Sequence, residues 1–141
     1  VGVDGSGLML DEARRRLPKH RWIHSLIQEI DFDEEFDAVI CWDSLFHVGR
    51  EEWGPILSRV ARWLKPDGRL MMSSGGIVPD DGGFTDTMFG YEFYYDSLPP
   101  DRLLELLQEI GFRIILGEMC DPPDGGRNRG KWATIAVRTM G

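Results

Sequence analysis

Two rhythms of apolar and polar residues run along this chain, and the points where one gives way to the other mark its elements. From Phe36 the chain reads FDAVIC, in which Ala38, Val39, Ile40 and Cys41 are small or β-branched and carry no charge. That is how a strand buried on both faces of a parallel sheet reads. The pattern turns polar at once, through Trp42, Asp43, Ser44 and His47, so the strand's carboxyl end carries groups that stack, accept and donate. In open α/β sheets ligands sit at that end. Next, Trp53, Ile56, Leu57, Val60, Trp63 and Leu64 recur at helical spacing, with Glu51 and Glu52 near the start and Pro55 suited to the first turn. Lys65-Pro66-Asp67-Gly68 predicts the end of that helix and a turn into a strand over Arg69 to Ser73.

Upstream, Val1-Gly2-Val3 reads as the end of a buried strand with Asp4 at its tip. Ser6 is placed to cap a helix whose inner face is Leu10, Ala13 and Leu17, and Pro18 stops it. Trp22 to Ile27 is an apolar patch interrupted by His24 and Ser25, and Gln28 to Glu35 is an acidic connector. Residues 75–97 interleave glycines with Phe84, Phe89, Tyr91, Phe93, Tyr94 and Tyr95, a composition that predicts an ordered lid. Ser97 is expected to cap a helix entered through Pro99-Pro100, with Leu103, Leu104, Leu107 and Ile110 as its stripe and Gly111 as its stop. Phe112 to Met119 and Trp132 to Val137 predict an antiparallel pair joined by DPPDGGRNRGK. The order of elements is that of an α/β layer protein whose parallel sheet acquires an antiparallel edge.

Length and charge narrow the choice. At 141 residues the chain has the size of one domain, 1–141. Sixteen Lys and Arg against 24 Asp and Glu give a net charge of −8, the wrong sign for docking on phosphate backbones, so no nucleic-acid partner is expected. Arg14, Arg15, Arg16 and Lys19 read as a solvated helix face. Cys41 and Cys120 are far apart in sequence, which fits a reducing cytoplasm better than a disulfide framework. No apolar run approaches bilayer length, so no membrane partner is expected. His20, His24 and His47 lack ligand spacing with cysteines or carboxylates, so no metal site is expected.

Four stretches in order, VGVDGSGLMLDEARRRLP, DFDEEFDAVICWDSLFHV, REEWGPILSRVARWLKPDGRLMMSSGG and LPPDRLLELLQEIGF, span most of the chain. Together they resemble the class I S-adenosylmethionine-dependent methyltransferases, beginning at that family's second strand. The resemblance implies a Rossmann-like three-layer sandwich with a mostly parallel sheet and an antiparallel C-terminal strand. It further implies methyl transfer from S-adenosylmethionine to a small-molecule acceptor, as the activity of an intact parent of which this chain is expected to be an impaired part.

Carried onto these residues, the resemblance makes Asp4 the acceptor for two ribose hydroxyls, since two carboxylate oxygens match a vicinal diol; a helix-entry cap is the plain alternative and excludes nothing. Gly5 and Ser6 follow in the cofactor-binding turn, and Met9, one helical turn on, lies against adenine or in the core. Leu26 occupies the position where many relatives hold the adenine amino group with an acid. With Leu26 and Ile27 in the cofactor site, recognition of that group falls to backbone or Gln28. Cys41 and Trp42 flank the methionine part, and Trp42 faces the sulfonium or merely packs. His47 is the candidate base, because its ordinary pKa is nearest neutrality, or a structural contact. Asp43 orients a substrate hydroxyl or amine, or caps the turn.

The family's first strand and glycine-rich turn are absent from the stretch matched, so the chain is expected to be an incomplete domain. In the family's strand order this leaves a gap of about 10 Å, two strand spacings, beside Phe36–Cys41, and poor stability or a substitute strand is expected. A nicotinamide-dependent oxidoreductase also puts an acid at its second strand tip, and a non-catalytic nucleotide-binding or interaction domain on the same scaffold is the other alternative.

Overall fold

The computed structural model describes residues 1–78, 82–125 and 128–139. These fall into two units, Val1–Phe32 and Asp33–Gly141. The first is a β-α-β unit of β1 (Gly2–Asp4), α1 (Gly7–Arg16) and β2 (Trp22–His24). β1 and β2 pair in parallel, with Asp4 opposite His24, and α1 supplies the crossover that parallel neighbours require. Ser6 caps α1 as expected, its Oγ accepting from the Met9 N–H at 3.4 Å. Leu10 is the buried residue of α1. Arg15 and Arg16 both clasp Glu12 and hold its carboxyl below the usual range.

The second unit holds a four-stranded sheet in the order β3 (Phe36–Cys41), β4 (Leu64–Gly75), β8 (Lys131–Arg138), β7 (Phe112–Asp121). β3 and β4 are parallel, while β8 runs antiparallel to both β4 and β7, so the sheet is mixed and the expected antiparallel C-terminal pair is present. Helix α2 (Trp53–Trp63) packs on β4, α3 (Pro100–Ile110) packs on β7, and the two helices touch. Trp53, Ile56, Leu57, Val60 and Trp63 from α2, with Leu70 and Met72 from β4 and Leu103 and Leu107 from α3, form the core. The apolar spacing that predicts α2 is thus the spacing that buries it.

Three sequence expectations need correction. β3 is not buried on both faces: only Cys41 is buried, and Ile40 is 68% exposed. Its apolar run reflects a strand that has β4 as its sole sheet neighbour among the described residues. Lys65-Pro66-Asp67-Gly68 does not separate α2 from the next strand. β4 starts at Leu64, and these four residues form an irregularity within it, as Phe36 pairs with Leu64 and Ala38 with Arg69; Asp67 takes the left-handed conformation, φ 62. Ser97 does not cap α3. Pro99 holds the cap position, and the Ser97 hydroxyl instead accepts from the Gly75 N–H at 3.0 Å. Gly111 ends α3 at φ 105, as its position predicts.

Within 75–97 the aromatic residues build an antiparallel hairpin, β5 (Phe84–Met88) and β6 (Tyr91–Tyr95), closed by Phe89 and Gly90. Both tip residues have positive φ, 54 and 82, as a two-residue type I′ turn demands. Among the described residues no helix is long and apolar enough to cross a membrane.

Candidate functional site

In the first unit, the candidate residues gather where β1 gives way to α1. One Asp4 carboxylate oxygen accepts from the Ser6 N–H at 2.7 Å, so the acid shapes its own turn and also faces outward. Leu26 lies against Gly5, where a Cβ would come within 2.8 Å of the leucine methyl. The Gly5 carbonyl takes a hydrogen bond from His24 Nε2 at 2.9 Å, which ties β2 to the turn. Met9 and Leu26 are 60% and 49% exposed, and Leu8 more so, whereas Ile27 is half-buried. The structure therefore sets an exposed carboxylate and an uncovered apolar surface on one short unit, and Met9 is not a core residue.

In the second unit, β3 delivers Cys41, Trp42 and Asp43 to the edge of the sheet. Cys41 is buried, and burial pushes its thiol up to about 11, so it stays protonated and inert. Asp43 sits at φ 50. Its N–H donates to Ser73 Oγ at 2.7 Å, that hydroxyl donates back to its carboxylate at 3.1 Å, and Lys131 Nζ pairs with both carboxylate oxygens at 2.8 Å. Lys131 also lies 5.8 Å from the Trp42 ring centre. Asp43 is thus a fixed, partly neutralised acceptor rather than a free base.

A 3-10 turn, Leu45–His47, follows. His47 sets its Nδ1 3.0 Å from the Tyr94 carbonyl and its ring against Phe46, Phe93 and Tyr95. Since a carbonyl only accepts, Nδ1 is the donor in this pair, and in the neutral ring the lone pair lies on Nε2. The sequence reading places Asp43 and His47 in one polar cluster. The structure gives them separate partners, Ser73 and Lys131 for the acid and the hairpin for the histidine.

Beside them lies a cavity of about 280 Å³ between the end of β4, the hairpin and the segment entering β8. Phe46, Tyr95 and Phe84 form its aromatic wall as a stacked column, with ring centres 6.0 and 5.5 Å apart. Neither Asp43 nor His47 is among the described residues that line it. Of the tyrosines that the sequence suggests as walls, Tyr95 lines it. Tyr91 points to solvent, and Tyr94 donates from its hydroxyl to Asp96 at 3.3 Å. Asp96 is buried and bound by the Arg50 side chain and N–H and by the Ser97 N–H. Burial alone pushes that carboxyl up, but these donors outweigh it and hold it below the usual range. The sequence reading missed Ser74, Arg129 and Lys131. No periodicity marks them, and the Lys131–Asp43 pair joins residues 88 apart. Among the described residues no group of three or more His, Cys, Asp or Glu is placed to hold a metal ion.

The described elements have the Rossmann-like α/β build that solved S-adenosylmethionine-dependent methyltransferases share. Residues 1–68 match a family model described as a methyltransferase domain. Among solved structures, a Listeria monocytogenes protein described as an S-adenosylmethionine-dependent methyltransferase superposes with a TM-score of 0.81 at 18% identity, over 99% of this chain and 79% of that one. A Methanosarcina mazei S-adenosylmethionine-dependent methyltransferase gives 0.80 at 20% identity, over 99% and 82%. The 1,6-didemethyltoxoflavin-N1-methyltransferase of Burkholderia thailandensis, with 1,6-didemethyltoxoflavin and S-adenosylhomocysteine bound, gives 0.71 at 22% identity, over 98% and 60%. No curated protein matches the chain in sequence. At these identities the likeness establishes the fold, and with the family match it bears out the resemblance that the four sequence stretches carry.

Proposed function

We propose that this chain carries the donor and acceptor sites of an S-adenosylmethionine-dependent methyltransferase acting on a small molecule. The observation that carries this reading is the match of residues 1–68 to a methyltransferase-domain model, because that stretch contains both the Asp4 turn and the strand end at Cys41–His47. The residues present suit the cofactor. Asp4 accepts from the Ser6 N–H through one oxygen, and its other oxygen has no partner among the described residues, which leaves an acceptor for the ribose hydroxyls. Met9, Leu26 and Ile27 offer apolar surface to adenine, with Gly5 and Ser6 shaping the turn between them. Cys41 and Trp42 flank the methionine end, where the indole face suits a cation. When bound, the cofactor supplies an electrophilic methyl group on a sulfonium.

The chain's own task is then alignment of the acceptor, which furnishes much of the rate in such a displacement. Asp43, neutralised by Lys131, orients an acceptor hydroxyl or amine. His47 Nε2 is the group in this region able to take up the acceptor's proton, its tautomer being fixed by the Tyr94 carbonyl. Calorimetric titration with S-adenosylhomocysteine tests the reading. The intact chain is expected to bind it in preference to NAD, and Asp4→Ala is expected to weaken binding at least tenfold, about 1.4 kcal/mol. Binding of NAD alone, or an Asp4→Ala protein that binds S-adenosylhomocysteine as well as its parent, would overturn it.

A further inference from the structure

The cavity has three properties that together specify what it takes. Its wall is the flat column of Phe46, Tyr95 and Phe84. Its floor contains Ser74, whose side chain is buried and whose Oγ has no hydrogen-bond partner. An orphaned buried hydroxyl is costly to the fold, and here it lies on a cavity that a ligand's polar group can enter. At its rim is Arg129.

Every other charged side chain lining the cavity is engaged: Asp96 by Arg50, Lys131 by Asp43, and Asp86 by the Thr87 N–H and a further contact. Arg129 has no ion pair among the described residues, and its guanidinium carbon lies 4.0 Å from the centre of the Phe84 ring. That contact uses the flat face of the guanidinium and leaves its edge, the N–H fork that matches a carboxylate, without a partner among the described residues. The backbone holds Arg129 there. Its carbonyl accepts from the Ile77 N–H at 2.8 Å, the Gly130 carbonyl accepts from Gly76 at 3.0 Å, and a Cβ on Gly76 would come within 3.0 Å of the Gly130 backbone.

We infer that this cavity binds an aromatic or heteroaromatic ring bearing an anionic group, with the ring against Phe46 and Tyr95, the anion on the Arg129 fork and a polar ring substituent hydrogen-bonded to Ser74. That this molecule is the methyl acceptor rests on the methyltransferase reading; the ligand class rests on the cavity alone. The test titrates the full chain, without cofactor, with salicylate, with its neutral amide salicylamide, and with cyclohexanecarboxylate, read by ligand-observed saturation-transfer NMR. Salicylate is expected to bind at least tenfold more tightly than either. Arg129→Gln is expected to bring salicylate down to the level of salicylamide, with Arg129→Lys intermediate because charge remains while the fork is lost. Ser74→Ala is expected to weaken salicylate several-fold and cyclohexanecarboxylate not at all. Arg129 is exposed, so its variants keep the fold, as far-UV circular dichroism will show.

Equal binding of salicylamide, or an unchanged Arg129→Gln protein, would overturn the anionic assignment, and equal binding of cyclohexanecarboxylate would overturn the aromatic one. The same samples titrated with S-adenosylhomocysteine separate the two proposals. Donor binding without salicylate binding removes the ligand class and leaves the methyltransferase reading. Arg129-dependent salicylate binding without donor binding does the reverse.

Discussion

Asp96 shows how one residue is asked to do several things. Its carboxylate accepts from the Arg50 side chain, the Arg50 and Ser97 N–H groups and the Tyr94 hydroxyl, so it fastens the end of the hairpin to the turn before α2. Burial alone would raise its pKa, but these donors win and lower it. A carboxyl whose folded pKa lies below its unfolded value, about 3.9, stabilises the protein above that value and loses the contribution as pH falls through the folded one. Stability to urea should therefore hold from neutrality to about pH 4 and then decline. Asp96→Asn should lose on the order of 3 kcal/mol at pH 7, since it leaves Arg50 beside a neutral amide. Its acid decline should also be shallower than the parent's, and urea melts across this pH range check both. Asp37 and Glu12 are likewise depressed, by Lys65 and by Arg15 with Arg16. Both are exposed pairs that solvent screens, so they shape the profile little.

At the scale of elements, the hairpin is the part the sequence hid and the part that makes the cavity. A two-residue turn of its type ordinarily announces itself with Asn-Gly or Asp-Gly, whereas here Phe89 stands at the first position with its side chain exposed. Nothing in Met88-Phe89-Gly90-Tyr91 separates a strand turn from a loop. Helices α2 and α3 were legible because a stripe at helical spacing needs only its own segment to be read. Ser97 was misread for the complementary reason. A serine ahead of two prolines looks like a cap, and only the approach of Gly75, 22 residues earlier, reveals its partner. His47 ties the hairpin back through the Tyr94 carbonyl and the Asp96 N–H does so through Phe46. His47→Ala should accordingly speed amide exchange across Tyr91–Tyr95 about tenfold, the worth of one hydrogen bond of roughly 1.4 kcal/mol, and change global melting little. Hydrogen-exchange mass spectrometry resolves this, and an unchanged hairpin would leave the histidine without a structural role.

At the scale of the whole molecule, the two thiols report on different depths. Cys120 is exposed and Cys41 is buried at the end of β3, its pKa pushed up to about 11 by burial. In native buffer at pH 8 an aromatic disulfide reagent should take up one equivalent at once. The second should react only as fast as the sheet opens, and in denaturant both should react together. Prompt reaction of both would mean that the β3 end is not closed over Cys41. Element order and the antiparallel finish of the sheet were legible from the chain, since each strand's composition and each turn's residues act locally. The exposure of Ile40 and the meeting of Asp43 with Lys131 were not, because both depend on which strands become neighbours.

The cavity's distinctive walls come from three connections, the turn after β3 that carries Phe46, the stretch between β4 and α3 and the stretch between β7 and β8, while the sheet contributes little more than Ser74 and Gly75 from one strand end and Lys131 from another. Ligand preference is consequently written in three separable passages of the chain. Each can be rewritten by grafting without touching the apolar stripes that hold α2 and α3 to the sheet, so a new specificity calls for editing at three addresses rather than for a new protein.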